Sequence, residues 1–206
     1  MDTNLSQLMT VTCGGDARIP ESRSHQLVLT ITALFAGLAL SALWGLAAGS
    51  TSATLALANA YKVPMVILLS ALTALPAGLV TLRLANAPLP AHQLVSAFVT
   101  SIFGGTLVLA TLAPLVAIYY HTSSMAGVPI ALGSVFVALA TASLLFGRAV
   151  GRRMAGQPER RGTSLIAVGV LVALFLTALL QFVAMASPII AATTRFDGGF
   201  DTVFSR

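Results

Sequence analysis

Charge is what this chain has least of. Asp, Glu, Lys and Arg make up 8% of its 206 residues, against about 25% in a soluble domain. Eleven basic and six acidic side chains cannot cover a water-facing surface of this size, which excludes a soluble enzyme, a secreted scaffold and a disordered tail. Cysteine is almost missing as well. Cys13 stands alone, so a disulfide framework and a cysteine-built metal or cluster site within one chain are excluded. No apolar stretch precedes Cys13, so a lipoprotein anchor is not expected. The first residues contain Asp2 and no basic n-region, so a cleavable signal peptide is not expected either. The net charge of +5 and pI near 10.4 come without interleaved aromatic and basic residues. Nucleic acid is therefore not an expected partner.

What the chain has instead is long apolar runs, 57% hydrophobic residues and a mean hydropathy of +0.93. A membrane-spanning helix needs about 20 mostly apolar residues. Five runs qualify, at 26–49, 63–82, 94–120, 127–146 and 165–186. They are continuously apolar and do not alternate every second residue as barrel strands do. The predicted fold is all-α: a polytopic bundle of five transmembrane helices over 26–187, with a polar tail at 1–25 and an interfacial tail at 188–206. The segment STSATLALANA at 50–60 reads as an extra helical turn or an interfacial stretch.

Orientation follows from the cationic residues of the connections. Arg18, Arg23, Arg83, Arg148, Arg152, Arg153, Arg160 and Arg161 fall on one side, and Lys62, Arg195 and Arg206 on the other. The excess places the N-terminus in the cytoplasm and the C-terminus outside. Asn86-Ala87-Pro88-Leu89-Pro90 predicts a tight turn that pairs spans two and three as an antiparallel hairpin. The stretch 147–164 reads as a longer loop whose arginines either anchor the topology beside anionic headgroups or dock a cytoplasmic partner or phosphorylated lipid.

The span interiors carry no Asp, Glu, His, Lys or Arg. Lys62 and Arg83 sit at the ends of span two, where they can snorkel, and His25, His92 and His121 sit at a helix entrance or in loops. That absence argues against ion-coupled transport, against intramembrane proteolysis by paired aspartates, a Ser-His pair or an HExxH site, and against a resident cofactor or metal. Gln181 is the deepest strongly polar side chain. It is read either as a buried amide bonded to a neighbouring helix or, with Thr177 one turn earlier, as part of a polar path.

Small residues recur every four positions. Ala33, Gly37, Ser41, Gly45 and Gly49 form one stripe in span one; Ser70, Ala74 and Gly78 repeat it in span two, and Ala97, Ser101 and Gly105 in span three. Lipid gives no hydrophobic drive to helix association, so such stripes predict close helix packing, within a protomer or between protomers. Pro64 is placed in the first turn of span two, where its missing N–H costs nothing. Pro76 and Pro114 fall inside spans two and three and predict kinks, structural or serving as a hinge. In the tail, Phe196, Phe200 and Phe204 predict an interfacial segment with Asp197 and Asp201 facing water.

KVPMVILLSALTALP in span two and TLAPLVAIYY in span three, with five spans and an inward N-terminus, resemble the Yip1-type family of small membrane proteins. The two motifs cover about an eighth of the chain, and the acidic N-terminal motif of its eukaryotic members is missing here. It implies a helical bundle acting through association with lipids or other membrane proteins. The expected protein is a non-enzymatic, multi-pass protein of a bacterial inner membrane, working as a scaffold or accessory subunit with membrane lipids and itself or other membrane proteins as partners. The alternative is a channel or permease subunit for a small uncharged solute, motivated by Pro76, Pro114 and the Ser/Thr content.

Overall fold

A computed structural model describes residues 6, 23–84, 89–122, 126–154, 161–186 and 189. Five long helices carry almost all of them: α1 (Arg23–Ala48), α2 (Ala53–Leu84), α3 (Ala91–Thr122), α4 (Gly127–Arg153) and α5 (Arg161–Ala186). Helix is the expected answer for such runs, because hydrocarbon offers no partner for a backbone N–H or C=O and each must be satisfied within its own segment. There is no strand among the described residues.

The apolar surface points the wrong way for water. Only 17% to 44% of the most apolar window of each span is buried inside the bundle, and Phe35, Phe136 and Met185 are 67%, 66% and 72% exposed. A soluble monomer does not expose contiguous apolar faces of this extent. Five faces of this kind define a multi-pass membrane protein.

The helices outrun the predicted spans. α2 and α3 have 32 residues each, about 48 Å at 1.5 Å per residue, against a hydrocarbon core of about 30 Å. Tilt and projection beyond the core take up the excess. Most of STSATLALANA is therefore the opening of α2, preceded by the turn 49–52. Pro64 consequently lies well inside α2 instead of in its first turn, and it leaves the Ala60 carbonyl without its helical donor. Lys62 is also inside α2, about 14 Å from its start, half-buried and with a partner. His92 and His121 belong to the ends of α3 and not to loops. Arg148, Arg152 and Arg153 stand on the last turns of α4, so the expected loop 147–164 is mostly helix. Arg160, residues 85–88 of the predicted turn, 1–5 and 7–22 of the N-terminal tail, and 190–206 of the C-terminal tail with Phe196, Asp197, Phe200, Asp201 and Phe204 lie outside the described residues.

The lateral order differs from the expected one. α3 packs most extensively on α4 and α1, and α2 on α5 and α1, while α2 and α3 barely meet. Spans two and three are thus neighbours in sequence but not a packed hairpin: α1 touches both and stands between them. Around the bundle the order is α5, α2, α1, α3, α4. A lighter contact between α4 and α5 closes the circuit. Phe98 of α3 fills that seam, edge-on to Phe146 of α4 at 5.5 Å and to Phe175 of α5 at 5.4 Å between ring centroids, a geometry favoured by the ring quadrupoles.

Candidate functional site

The small-residue stripes decide where backbones approach. Ala33, Gly37, Ser41 and Gly45 of α1 and Gly49 in the turn after it are all buried, and the slow drift of an i, i+4 row carries the stripe from one neighbour to another. Its first half faces α3: a Cβ on Gly37 would stand 3.2 Å from Thr106 Oγ1 and 3.5 Å from Phe103 Cα. Its second half faces α2. A Cβ on Gly45 would strike the Asn59 carbonyl, 2.8 Å from its carbon, and one on Gly49 would lie 2.6 Å from both the amide nitrogen and the Cα of Ala56. Backbone cannot yield as a side chain can, so glycine is required at both positions. The turn that follows is tied by Ser50 N–H to Ala47 C=O (3.2 Å), Ser52 N–H to Gly49 C=O (3.1 Å) and Ala56 N–H to Ser52 C=O (2.8 Å).

Ser70, Ala74 and Gly78 are buried on α2, and Gly78 receives Leu171 of α5, whose Cγ would lie 2.9 Å from an added Cβ. Ala97, Ser101 and Gly105 are buried on α3, with Gly105 against the Ala138 carbonyl (2.9 Å) and Ala142 Cβ (3.0 Å) of α4. In the structure all three stripes face helices of the same chain.

Polar groups follow the same inward economy. Ser41, Ser70, Ser101 and Thr106 are buried, and each donates to a carbonyl three or four residues back in its own helix. Outward threonines do likewise: Thr73, Thr111 and Thr177 donate to Leu69, Val108 and Ala173. This is how a hydroxyl tolerates hydrocarbon, and it occupies the groups that would line a polar path. Between α3, α4 and α5 lies a cavity of about 20 Å³, lined by Phe98, Ser101, Leu139, Ser143, Phe146 and Phe175 among others. That is room for about one water molecule. Pro76 and Pro114 are exposed, α2 and α3 run on through them, and neither lines this cavity.

Gln181 is exposed on α5 and is not a buried amide. The reason is that α5 is apolar all round, so depth along the helix says nothing about which side faces inward. Gly169, Ala173 and Thr177 are exposed on the same helix at intervals of four, and a Cβ on Gly169 would meet nothing within 4 Å. Gln181 makes no hydrogen bond among the described residues. At the other end of the bundle, Arg148 and Arg152 are exposed on α4, while Arg153 is half-buried and donates to the Gln93 carbonyl at the start of α3. Arg161 opens α5.

Two further polar contacts escaped sequence reasoning, as did that of Arg153. Trp44 Nε1 donates to Ser134 Oγ at 3.0 Å, joining α1 to α4, and Ser134 Oγ donates on to Ala131 C=O at 2.7 Å. Asn59, 0% exposed, donates through Nδ2 to the Ile189 carbonyl just past α5. The signal for the first was a lone tryptophan in a span, whose indole N–H needs an acceptor when buried. Asn59 was hidden because its segment reads as an extra helical turn or an interfacial stretch outside the spans.

The geometry defines a class, a multi-pass helical membrane protein. Among the described residues no group of three His, Cys, Asp or Glu could hold a metal ion. Comparison with protein-family models, with curated proteins and with solved structures gave no match.

Proposed function

We propose that this is a non-enzymatic scaffold or accessory subunit of a bacterial inner membrane, its N-terminus cytoplasmic and its C-terminus outside, acting through helix contacts and lipid contacts. The observation that carries the reading is the contrast between two kinds of stripe. Those of α1, α2 and α3 are spent inside the bundle, whereas Gly169, Ala173, Thr177 and Gln181 of α5 face outward. An amide facing lipid is satisfied best by another membrane helix, for about 0.6 to 1.7 kcal/mol. The likeness of KVPMVILLSALTALP and TLAPLVAIYY to Yip1-type proteins fits the same role. A channel or permease subunit has less support, since Ser41, Ser70, Ser101 and Thr106 bond their own helices and Pro76 and Pro114 face outward.

The test is assembly. Gln181→Leu combined with Gly169→Ile should lower the size of the complex purified from native membranes in mild detergent and reduce recovery of co-purifying membrane proteins. Unchanged size and recovery would refute the scaffold reading. Flux of a neutral solute into proteoliposomes, above empty vesicles, would favour the channel.

A further inference from the structure

We propose that Arg148 and Arg152 form a discrete binding site for the phosphate of an anionic phospholipid, with its acyl chains lying along the outward face of α4 at Val137, Ala140 and Leu144. Both arginines are exposed and stand one turn apart on one side of the helix, with Cβ atoms about 5–6 Å apart. One phosphate can accept from two guanidinium forks at that spacing. None of the five helices contains an Asp or Glu, so no helix supplies their countercharge.

The surface around the arginines selects the ligand. Val137, Ala140 and Leu144 are exposed towards the middle of α4, so the face is apolar along its length and cationic at its end. Its complement is a molecule with an apolar body and an anionic head. An acidic soluble protein would match the arginines and nothing below them. A Cβ on Gly147 would meet nothing within 4 Å, which leaves the helix backbone beside Arg148 open to a headgroup. Arg153, the next residue, is turned the other way: its bond to the Gln93 carbonyl fixes the end of α4 against α3, so the two outward arginines are held on a rigid support.

This inference deepens the lipid part of the reading above and rests on it only in placing this end of the bundle at a leaflet that contains anionic lipid. The test uses the full chain in mild detergent, titrated with phosphatidylglycerol or phosphatidylcholine and read by native mass spectrometry. Phosphatidylglycerol should be retained in preference. Each basic residue beside an anionic surface is worth about 1 kcal/mol, so Arg148→Gln with Arg152→Gln should weaken retention about 30-fold, at 1.4 kcal/mol per tenfold. Arg83→Gln, an exposed arginine at the end of α2, should leave it unchanged. If the double variant does not fold, each single variant should show a loss of about fivefold. Equal retention of both lipids, a double variant that binds like the wild type, or an equal loss in Arg83→Gln would overturn the site. Partner recovery measured on the same samples keeps the two proposals apart: lipid loss with intact assembly concerns only this site, and the reverse concerns only the scaffold.

Discussion

Gly45→Ala adds one methyl group where the backbones of α1 and α2 approach closely, and its cost can be worked from the geometry. The new Cβ would strike the Asn59 carbonyl, 2.8 Å from its carbon and 3.3 Å from the amide nitrogen of Ala60. Carbon atoms pack at about 3.5–4.0 Å, so the helices must part by about 1 Å. A gap of 0.5–1 Å already forfeits about a quarter to a half of each contact it opens, and overpacking of well-packed cores costs about 1–3 kcal/mol. We expect a loss near the top of that range, about 3 kcal/mol, because the colliding atoms are backbone. Gly37→Ala meets a hydroxyl at 3.2 Å and backbone only at 3.5 Å, so about 1 kcal/mol is expected. Gly169→Ala meets open space and should stay within about 0.5 kcal/mol. The assay is reversible unfolding of the three variants in detergent micelles. Equal stability of Gly45→Ala and Gly169→Ala would refute the close approach of α1 and α2.

The Trp44–Ser134 bond should show as coupling: a double-mutant cycle with Trp44→Phe and Ser134→Ala is expected to give about 0.6–1.7 kcal/mol, and additive losses would remove the bond from the account. Asn59→Ala takes away the donor to the Ile189 carbonyl. A cysteine at Ile189, buried in the parent, should then react faster with a maleimide in a Cys13→Ser background, and an unchanged rate would count against this tie.

The sequence was most legible where one physical rule acted alone. Apolar length set the number of crossings, and the period-four rows of small residues in spans one to three lie on faces that are buried in the structure. Helix ends were less legible, because a helix does not stop where hydrophobicity does: GRAVGRR continues α4 through three arginines, and ATLALANA opens α2. Lateral order was not legible at all. The short connection between α2 and α3 suggests pairing, yet helices that are apolar all round can meet any neighbour, and Gly37 and Gly45 let α1 serve both. The same indifference hid the outward direction of Gln181, and the reading of 50–60 as an extra helical turn or an interfacial stretch concealed Asn59.

The membrane topology is five crossings with alternating ends, and impermeant maleimide labelling tests it most directly. Single cysteines would replace Thr51, Arg83, Thr122 and Arg152 in the Cys13→Ser chain, in sealed vesicles of both orientations. The account predicts that Arg83→Cys and Arg152→Cys label from the cytoplasmic side alone, and Thr51→Cys and Thr122→Cys from the opposite side alone. Labelling of Thr51→Cys and Arg83→Cys from the same side would contradict it, because α2 could not then cross the membrane.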